Sequence, residues 1–238
     1  MTPSKVPDYK TQYDKWDATR MDAEENMNHQ ARYDKWASTY DEDVKKRNYK
    51  SPELVLDFLL ELLELEKIPF TPNTPGLRVL DAGCGTGLLG KLMIDAGFSQ
   101  IDGVDISQKM VDKAQQLGIY QTLLGECDLQ KPLPSSLENQ YDIIASAGVF
   151  TLDMVFPQTL AYLVRTAKPG CVIAIGSSSS WCEKYDFEGF YQKLSRAGYI
   201  ELLKANLNAP YVANHNSTET LTANYWGFLV KNNNVQIG

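Results

Sequence analysis

The stretch Val79-Leu80-Asp81-Ala82-Gly83-Cys84-Gly85-Thr86-Gly87-Leu88 decides the fold of this chain. A short apolar run ends in the carboxylate of Asp81, and a glycine-rich loop then leads into an amphipathic segment that continues to Ala96. This order predicts a strand, a tight turn and a helix, the context that separates a nucleotide-type site from a chance cluster of glycines. Gly83 and Gly85 have no Cβ, so the backbone can turn sharply and a ligand can lie against it.

A second carboxylate follows the glycine loop at the tip of the next predicted strand. The apolar run Gln100-Ile101-Asp102-Gly103-Val104-Asp105-Ile106-Ser107 contains it as Asp105. A carboxylate at this spacing suits the ribose diol of adenosine, which both NAD and S-adenosylmethionine (SAM) carry. The loop reads Gly-x-Gly-x-Gly, and Leu88 stands where a dinucleotide fingerprint has its third glycine. Asp81 would repel a pyrophosphate but attract the ammonium and sulfonium groups of SAM, so these residues favour SAM.

Together, the two stretches resemble the first two motifs of the class I SAM-dependent methyltransferases. The resemblance implies an α/β, Rossmann-like class I methyltransferase fold with a seven-stranded, mostly parallel sheet flanked by helices. It also implies SAM as the cofactor and transfer of its methyl group as the reaction. Two later segments match the family. Asp128 lies before a Pro-Leu turn, where the family contacts adenine. The fourth predicted strand ends in Ala145, Ser146 and Ala147, where the family lines the methionine part of the cofactor.

An aromatic stripe precedes the glycine loop. Tyr33, Trp36, Ala37 and Tyr40 are spaced i, i+3, i+4, i+7, which predicts one face of a single helix. Such a stripe is typical of a hydrophobic core. The segment also resembles the Tyr-Asp-x-Trp-Ala-x-x-Tyr-Asp segment of small-molecule methyltransferases related to the ubiquinone and menaquinone methyltransferases. That segment caps the cofactor in the family, and aromatic faces suit a sulfonium cation. Both interpretations stay open.

A longer part of the chain is similar to the methyltransferase-like protein 27 group, also called the Williams–Beuren region methyltransferases. The similarity rests on Tyr-Asp-Lys-Trp-Ala-x-x-Tyr-Asp-x-Asp-Val at 33–44, on Tyr49 and Pro52, and on Gly-Ile-Tyr-Gln-x-Leu at 118–123. It extends to residue 176 and adds Tyr49 to the expected cofactor contacts. The C-terminal third departs from the pattern, and we expect it to determine the choice of acceptor.

The remaining segments predict further elements of this fold. Ser51-Pro52-Glu53 predicts a helix that Ser51 caps, and Ser107 predicts a second cap that turns Met110 toward the site. Residues 206–223 lack periodicity, which predicts a long loop of the kind that is often functional. Strands are expected at 120–124, 141–146 and 171–176, helices at 51–65, 157–167 and 187–197, a turn at 168–170, and an antiparallel edge pair at 199–203 and 225–230.

Length and composition bound the number of domains and the partners. The 238 residues, 43% of them hydrophobic, suit one domain at 31–238 after a polar N-terminal extension at 1–30. The extension holds an echo of the later motif, Tyr13-Asp14-Lys15-Trp16. A net charge of −7 argues against nucleic acid as a partner. No apolar run is long enough to cross a bilayer, and the first thirty residues do not read as a secretory signal. We therefore expect a cytoplasmic protein with no membrane partner, and the oligomeric state stays undetermined.

The cysteines and histidines do not form a metal-binding pattern. The four cysteines lack Cys-x-x-Cys spacing and are expected to be reduced thiols, and His29 and His215 are too few for a histidine-based metal site. No catalytic residue is assigned, because methyl transfer from a sulfonium chiefly needs alignment. His215, Asp153 and Tyr211 are conceivable bases only by their position in regions that could face the site.

The expected function is methyl transfer from SAM to a small-molecule acceptor. One alternative is a protein that binds SAM without turnover. Another is an NAD-dependent oxidoreductase, which predicts Gly at position 88 or a Tyr-x-x-x-Lys set, and neither is present. The residue patterns and the resemblance together predict a cofactor site made of Tyr33, Trp36, Tyr40, Tyr49, Asp81, Ala82, Gly83, Gly85, Asp105, Ile106, Met110, Cys127, Asp128 and Ser146.

Overall fold

The computed structural model describes residues 29–212 and 221–235. In this part of the chain the strands are β1 (Arg78–Ala82), β2 (Gln100–Val104), β3 (Thr122–Leu124), β4 (Tyr141–Phe150), β5 (Ala167–Ser178), β6 (Ile200–Val212) and β7 (Leu221–Val230). They form one sheet in the order β3-β2-β1-β4-β5-β7-β6. Strands β1 to β5 pair in parallel, and β7 is antiparallel to β5 and β6. This topology confirms the predicted seven-stranded, mostly parallel sheet with an antiparallel edge pair.

Two hydrophobic cores lie on the two faces of the sheet. Successive strand residues point to opposite faces, so Val79 and Leu80 belong to different cores. The described helices are α1 (His29–Trp36), α2 (Tyr40–Lys46), α3 (Ser51–Leu63), α4 (Leu88–Asp95), α5 (Gln108–Gln115), α6 (Gln158–Thr166), α7 (Ser179–Lys184) and α8 (Phe187–Arg196). Helices α3 and α4 pack in the core that holds Val79, and α6, α7 and α8 pack in the core that holds Leu80.

The strand–turn–helix units predicted around the two acidic residues are confirmed. Strand β1 ends at Ala82 and α4 begins at Leu88, so the glycine loop lies between them as expected. The Ser107 hydroxyl accepts a hydrogen bond from the Met110 N–H at 3.1 Å, which confirms Ser107 as the cap of α5. The carboxyl ends of β1, β2 and β4 meet at one edge of the sheet, and this places the loops that follow them side by side.

The single helix predicted across the aromatic stripe was wrong. Helix α1 ends at Trp36, and α2 begins four residues later, at Tyr40. In the break, the Thr39 N–H donates to the Trp36 carbonyl at 3.0 Å, an i→i−3 bond, and the Thr39 hydroxyl donates to Asp43 Oδ2 at 2.9 Å. The tight i→i−3 bond thus closes the end of α1, and the Thr39 hydroxyl binds the Asp43 side chain in the first turn of α2.

The long loop predicted at 206–223 was also wrong over most of its length. Strand β6 continues to Val212 and β7 begins at Leu221, so only 213–220 lie between them. The pairing of β6 with β7 shifts register after Leu202, after Asn206 and after Pro210. Each shift breaks the alternation of side chains, so the sequence shows no period of two although the backbone is extended. His215 and the predicted extension before residue 29 lie outside the described residues.

Two smaller predictions need correction. Ser51 is the first residue of α3 and Lys50 occupies the cap position, so the predicted Ser51 cap was wrong, while Pro52 does lie in the first turn. The turn predicted at 168–170 lies inside β5 as a bulge, because the pairing passes from Tyr141↔Ala167 to Ile143↔Val172. Proline has no N–H to donate to a neighbouring strand, so Pro169 is compatible with a bulge and not with a regular ladder.

Candidate functional site

A cleft that is partly open to solvent lies at the carboxyl ends of β1, β2, β3 and β4, and the space between its walls, with the open part included, is about 630 Å³. Its walls come from α1 and α2, the glycine loop, the loop after β2 and the segments after β3 and β4. The described lining residues are His29, Tyr33, Tyr40, Gly83, Gly85, Asp105, Ile106, Met110, Cys127, Asp128, Leu129, Ala147, Gly148, Val149, Met154 and Val155.

The glycine loop presents bare backbone to this cavity. Gly83, Gly85 and Gly87 have φ angles of +79°, +53° and +93°, a region that side chains with a Cβ rarely adopt. A Cβ on Gly83 would overlap with the Val149 side chain, whereas a Cβ on Gly85 would meet no atom within 4 Å. The space in front of Gly85 is therefore free for a ligand.

Asp105 joins the two loops on either side of the cavity. Its Oδ2 accepts a hydrogen bond from the Gly85 N–H and its Oδ1 accepts one from the Ser107 N–H, each at 2.8 Å. Burial raises the pKa of Asp105, the two backbone hydrogen bonds lower it, and the nearby Asp34 carboxylate raises it further. Each carboxylate oxygen keeps lone pairs after these bonds, so Asp105 can still accept hydrogen bonds from a diol.

Asp81 lies beneath the loop and does not line the cavity. Its Oδ2 accepts a hydrogen bond from the Tyr120 hydroxyl at 2.7 Å, and its Oδ1 has no hydrogen-bond partner among the described residues. Burial raises the pKa of Asp81 to about 7, the Tyr120 hydrogen bond opposes this shift, and the Asp105 charge adds to it. Near neutral pH this carboxyl group is therefore present in both protonation states.

We expect the free energy of unfolding to fall with rising pH because of Asp81. The unfolded chain has an Asp pKa of about 3.9, whereas burial raises the pKa of Asp81 to about 7 in the folded protein. The folded state binds the proton more tightly, so this contribution is complete below about pH 4 and is lost as pH rises to about 7. Its size is on the order of 4 kcal/mol. Urea denaturation of the wild type and Asp81→Asn at several pH values measures it. The same slope in both proteins would contradict the assignment.

The two N-terminal helices cover the cavity. Tyr33 from α1 and Tyr40 from α2 line it, and Trp36 lies between their rings, with centroid distances of 5.9 Å and 4.8 Å. The Trp36 indole Nε1 donates to Asp43 Oδ2 at 2.8 Å, so this ring braces the two helices and lies outside the cavity lining. The hydroxyl of Tyr49, also outside the lining, lies against the backbone of Gly148.

The other predicted residues also divide into those that line the cavity and those that lie behind the lining. Ile106, Met110, Cys127 and Asp128 line the cavity. Burial, followed by the charges of Asp105 and Asp128, raises the pKa of the Cys127 thiol to about 11. Ser146 and Ala82 lie behind the lining, where the Ser146 hydroxyl donates to the Ala82 carbonyl at 2.7 Å and ties β4 to β1.

Several lining residues were missing from the prediction. His29 is four positions before Tyr33, so the helical spacing could have placed both on one face. Burial and then the Arg32 guanidinium lower the pKa of His29, and Asp153 opposes this shift. The others are Leu129, Gly148, Val149, Met154 and Val155. The last two follow β4, which extends to Phe150 and so beyond its predicted end at Ser146.

The residues present fit SAM better than a dinucleotide. The backbone at Gly85 is uncovered, Asp105 has acceptors for a ribose diol, and the rings of Tyr33 and Tyr40 suit a sulfonium. None of the described lining residues is Lys or Arg, so these walls offer no cationic side chain to a pyrophosphate. Within the described ranges, no group of His, Cys, Asp and Glu could hold a metal ion, and no helix is long and apolar enough to span a membrane.

Comparison with known proteins points to the methyltransferases that the sequence motifs resemble. The model of a family described as "Methyltransferase domain" matches residues 73–224. Methyltransferase-like protein 27 of Homo sapiens is 36% identical over 170 residues, which cover 70% of this chain and 65% of that protein. Malonyl-[acyl-carrier protein] O-methyltransferase of Serratia marcescens is 36% identical over 100 residues, 42% of this chain and 37% of that protein. The chain thus aligns with less than two thirds of the length of either relative.

A solved structure shares the fold. The TehB-like SAM-dependent methyltransferase from Corynebacterium glutamicum superposes with a TM-score of 0.56 at 24% identity, and the match covers 84% of this chain and 99% of that one. The putative methyltransferase in a complex with the Haloferax volcanii Trm112 activator gives a TM-score of 0.55 at 18% identity, over 84% of this chain and 97% of that one. Both likenesses concern the fold alone.

Proposed function

Since this chain belongs to the methyltransferase domain family, we propose that it transfers a methyl group from SAM to a small-molecule acceptor. The family and the fold imply SAM as the methyl donor. The observation that carries the proposal is the pairing of the Asp105 carboxylate with the Gly85 N–H at the floor of a cavity that bare glycine backbone lines. This pairing sets a diol acceptor beside a surface on which an adenosyl group can lie.

The proposed contacts follow from the cavity walls. Asp105 would accept hydrogen bonds from the ribose hydroxyls. Met110 would pack on the adenine ring, and Asp128 would accept a hydrogen bond from the exocyclic amine of that ring. Gly85 would give the cofactor room against the backbone. We assign Trp36, Tyr49, Asp81, Ala82 and Ser146 a supporting position, because their side chains lie behind the residues that line the cavity.

When bound, SAM supplies a methyl group on a sulfonium that is already a good leaving group. The protein's own task is then to align the acceptor with that methyl group, and alignment of this kind contributes roughly 7–11 kcal/mol to catalysis. Tyr33 and Tyr40 cover the cavity from α1 and α2, so they exclude water from it and present ring faces to the positive charge.

The walls also favour a class of acceptor. Leu129, Val149, Met154 and Val155 give one side of the cavity an apolar surface, and the titratable acids that line it are Asp105 and Asp128. The whole chain has a net charge of −7, so these walls suit a small neutral or cationic molecule better than a nucleic acid. Relatives named for an rRNA and for a ribosomal protein show that the family fold alone does not decide this point.

We further propose a reducing, cytoplasmic location. The cysteines Cys84, Cys127, Cys171 and Cys182 are all free and buried, which suits a compartment that keeps thiols reduced. The division into an extension at 1–30 and a domain at 31–238 also remains a prediction.

Calorimetry with SAM, with its demethylated product S-adenosylhomocysteine (SAH) and with NAD tests the proposed function. We expect SAM and SAH to bind and NAD not to bind, since the described lining residues include no cation for the pyrophosphate. A thermal shift with the same three compounds gives an independent readout. Binding of NAD in preference to SAH would overturn the proposal. An assay with methyl-labelled SAM and fractionated metabolites then identifies the acceptor.

A further inference from the structure

The N-terminal helices hold the cavity through two Tyr-Asp pairs. In the pairs Tyr33-Asp34 and Tyr40-Asp41, each tyrosine lines the cavity and each aspartate binds a hydroxyl on a loop beneath it. The Thr86 hydroxyl on the glycine loop donates to Asp41 Oδ1 at 2.5 Å. The Ser107 hydroxyl on the loop after β2 donates to Asp34 Oδ1 at 2.6 Å. The covering segment is thus bonded to both loops that form the floor.

The second of these bonds continues to Asp105. Ser107 is completely buried, and its single hydroxyl proton points to Asp34, which leaves the oxygen free to accept the Met110 N–H at 3.1 Å. The Ser107 N–H donates to Asp105 Oδ1 at 2.8 Å. A second donor, the Lys109 N–H, reaches the same Asp34 oxygen at 3.3 Å. Three residues therefore form one hydrogen-bonded chain from the covering helix to the carboxylate that faces the ribose.

We propose that Asp34 is a positioning residue for the cofactor: it fixes Ser107 and, through it, holds the Asp105 carboxylate in the orientation that binds the ribose diol. This inference rests on the proposed function, because it takes Asp105 as the ribose ligand. Placing α1 over the cavity and orienting Asp105 become one event, since the same carboxylate does both. Asp34 itself does not line the cavity and does not need to touch the cofactor.

Charge gives the inference a second, separable consequence. The Asp34 carboxylate raises the pKa of Asp105, on top of the larger effect of burial. Removing only this charge, as in Asp34→Asn, lowers the pKa of Asp105 and keeps an oxygen that can accept from Ser107. Asp105 then stays ionised to lower pH. The other titratable groups around Asp105, which both proteins share, are Tyr40 from α2, Asp81 and Cys84 from β1 and its loop, and Cys127 after β3.

Calorimetry with SAH on the full chain tests the chain of hydrogen bonds. We expect Asp34→Ala and Ser107→Ala each to weaken binding about tenfold, and the double variant to bind about as weakly as either single one, because the two residues act as a unit. Asp34→Asn and Ser107→Thr, which keep the hydrogen-bonding groups, should lose about threefold or less. Lys113→Met is the control, because the Lys113 ammonium anchors the same segment at the Ser38 carbonyl, 3.2 Å away, without reaching Asp105.

The pH dependence gives the readout that a purely structural role would not move. The ratio of the SAH dissociation constants of Asp34→Asn and wild type should fall as pH is lowered through the range in which Asp105 takes up a proton in the wild type, since Asp105 stays ionised to lower pH in the variant. A constant ratio would overturn the inference. So would additive losses in the double variant, or an equal loss in Lys113→Met and Asp34→Ala. Failure of the wild type to bind SAH would instead overturn the proposed function, so the two failures are distinguishable.

Discussion

Gly85→Val is expected to abolish SAM and SAH binding, with a loss of at least about 100-fold, while the protein stays folded. A Cβ built on Gly85 meets no atom within 4 Å, so the free protein has room for the new side chain. That room is the space in which a cofactor would lie against the loop, and the branched side chain would fill it. Calorimetry measures the loss, and circular dichroism with thermal unfolding checks that the fold is retained.

Gly118→Val is the matched control for this variant. Gly118 has a φ of +64°, close to the +53° of Gly85, and a Cβ there also meets no atom within 4 Å. It follows α5 and lies outside the cavity lining, so the substitution imposes the same kind of backbone strain, about 1–2 kcal/mol, without filling the cavity. If Gly85→Val bound SAH as tightly as Gly118→Val does, the glycine loop would not be the floor of the cofactor site.

The second large effect is expected for Asp105→Ala, which should weaken SAH binding by about 2–3 kcal/mol, roughly 30- to 150-fold. The change removes the diol acceptor and also leaves the N–H groups of Gly85 and Ser107 without their acceptor, so both loops lose their common tie. Because the carboxylate is buried, its removal also removes a desolvation cost. We therefore expect a smaller change in the free energy of unfolding than in the binding free energy.

Asp102→Asn separates binding from folding for this prediction. Asp102 is a buried carboxylate on β2, the strand that Asp105 directly follows. It binds Arg78 at 2.6 Å and the Tyr141 hydroxyl at 3.1 Å, away from the cavity. Its substitution should lower the midpoint of urea denaturation and leave the SAH dissociation constant unchanged. Equal losses of affinity in the two variants would show that the effect of Asp105→Ala comes from general destabilisation.

The floor of the site was predictable because it is built from local signals. Gly85 and Asp105 each follow a short apolar run, and the strand, turn and helix around each are decided within about ten residues. The cover was predictable only in part. The family resemblance suggested Tyr33 and Tyr40 as cofactor contacts, whereas their spacing predicted only a shared helix face. The spacing could not show that the helix breaks between them, because the break depends on hydrogen bonds of Thr39 to Trp36 and Asp43.

Asp81 shows that a residue next to a binding loop in the sequence need not face the cavity. The prediction placed its charge in the cavity because Asp81 adjoins the glycine loop. In a strand, however, Asp81 points to the same face as Val79, which packs in the core with α3 and α4, and so its carboxylate meets the Tyr120 hydroxyl there. The alternation of side chains along β1 was therefore enough to predict where Asp81 points. The register shifts between β6 and β7 could not be predicted from β6 alone, because they depend on the partner strand.

Cys127 lines the cavity proposed for a methyl donor, so its thiol is a potential site of self-methylation. A thiolate is the nucleophilic form of cysteine, and a sulfonium methyl donor held in the same cavity could alkylate it. With burial raising its pKa to about 11, the Cys127 group is ionised in roughly one molecule in ten thousand at pH 7. The carboxylates of the buried Asp105 and the half-buried Asp128 contribute to this shift, so the charges proposed to bind the donor would also protect the thiol from methylation.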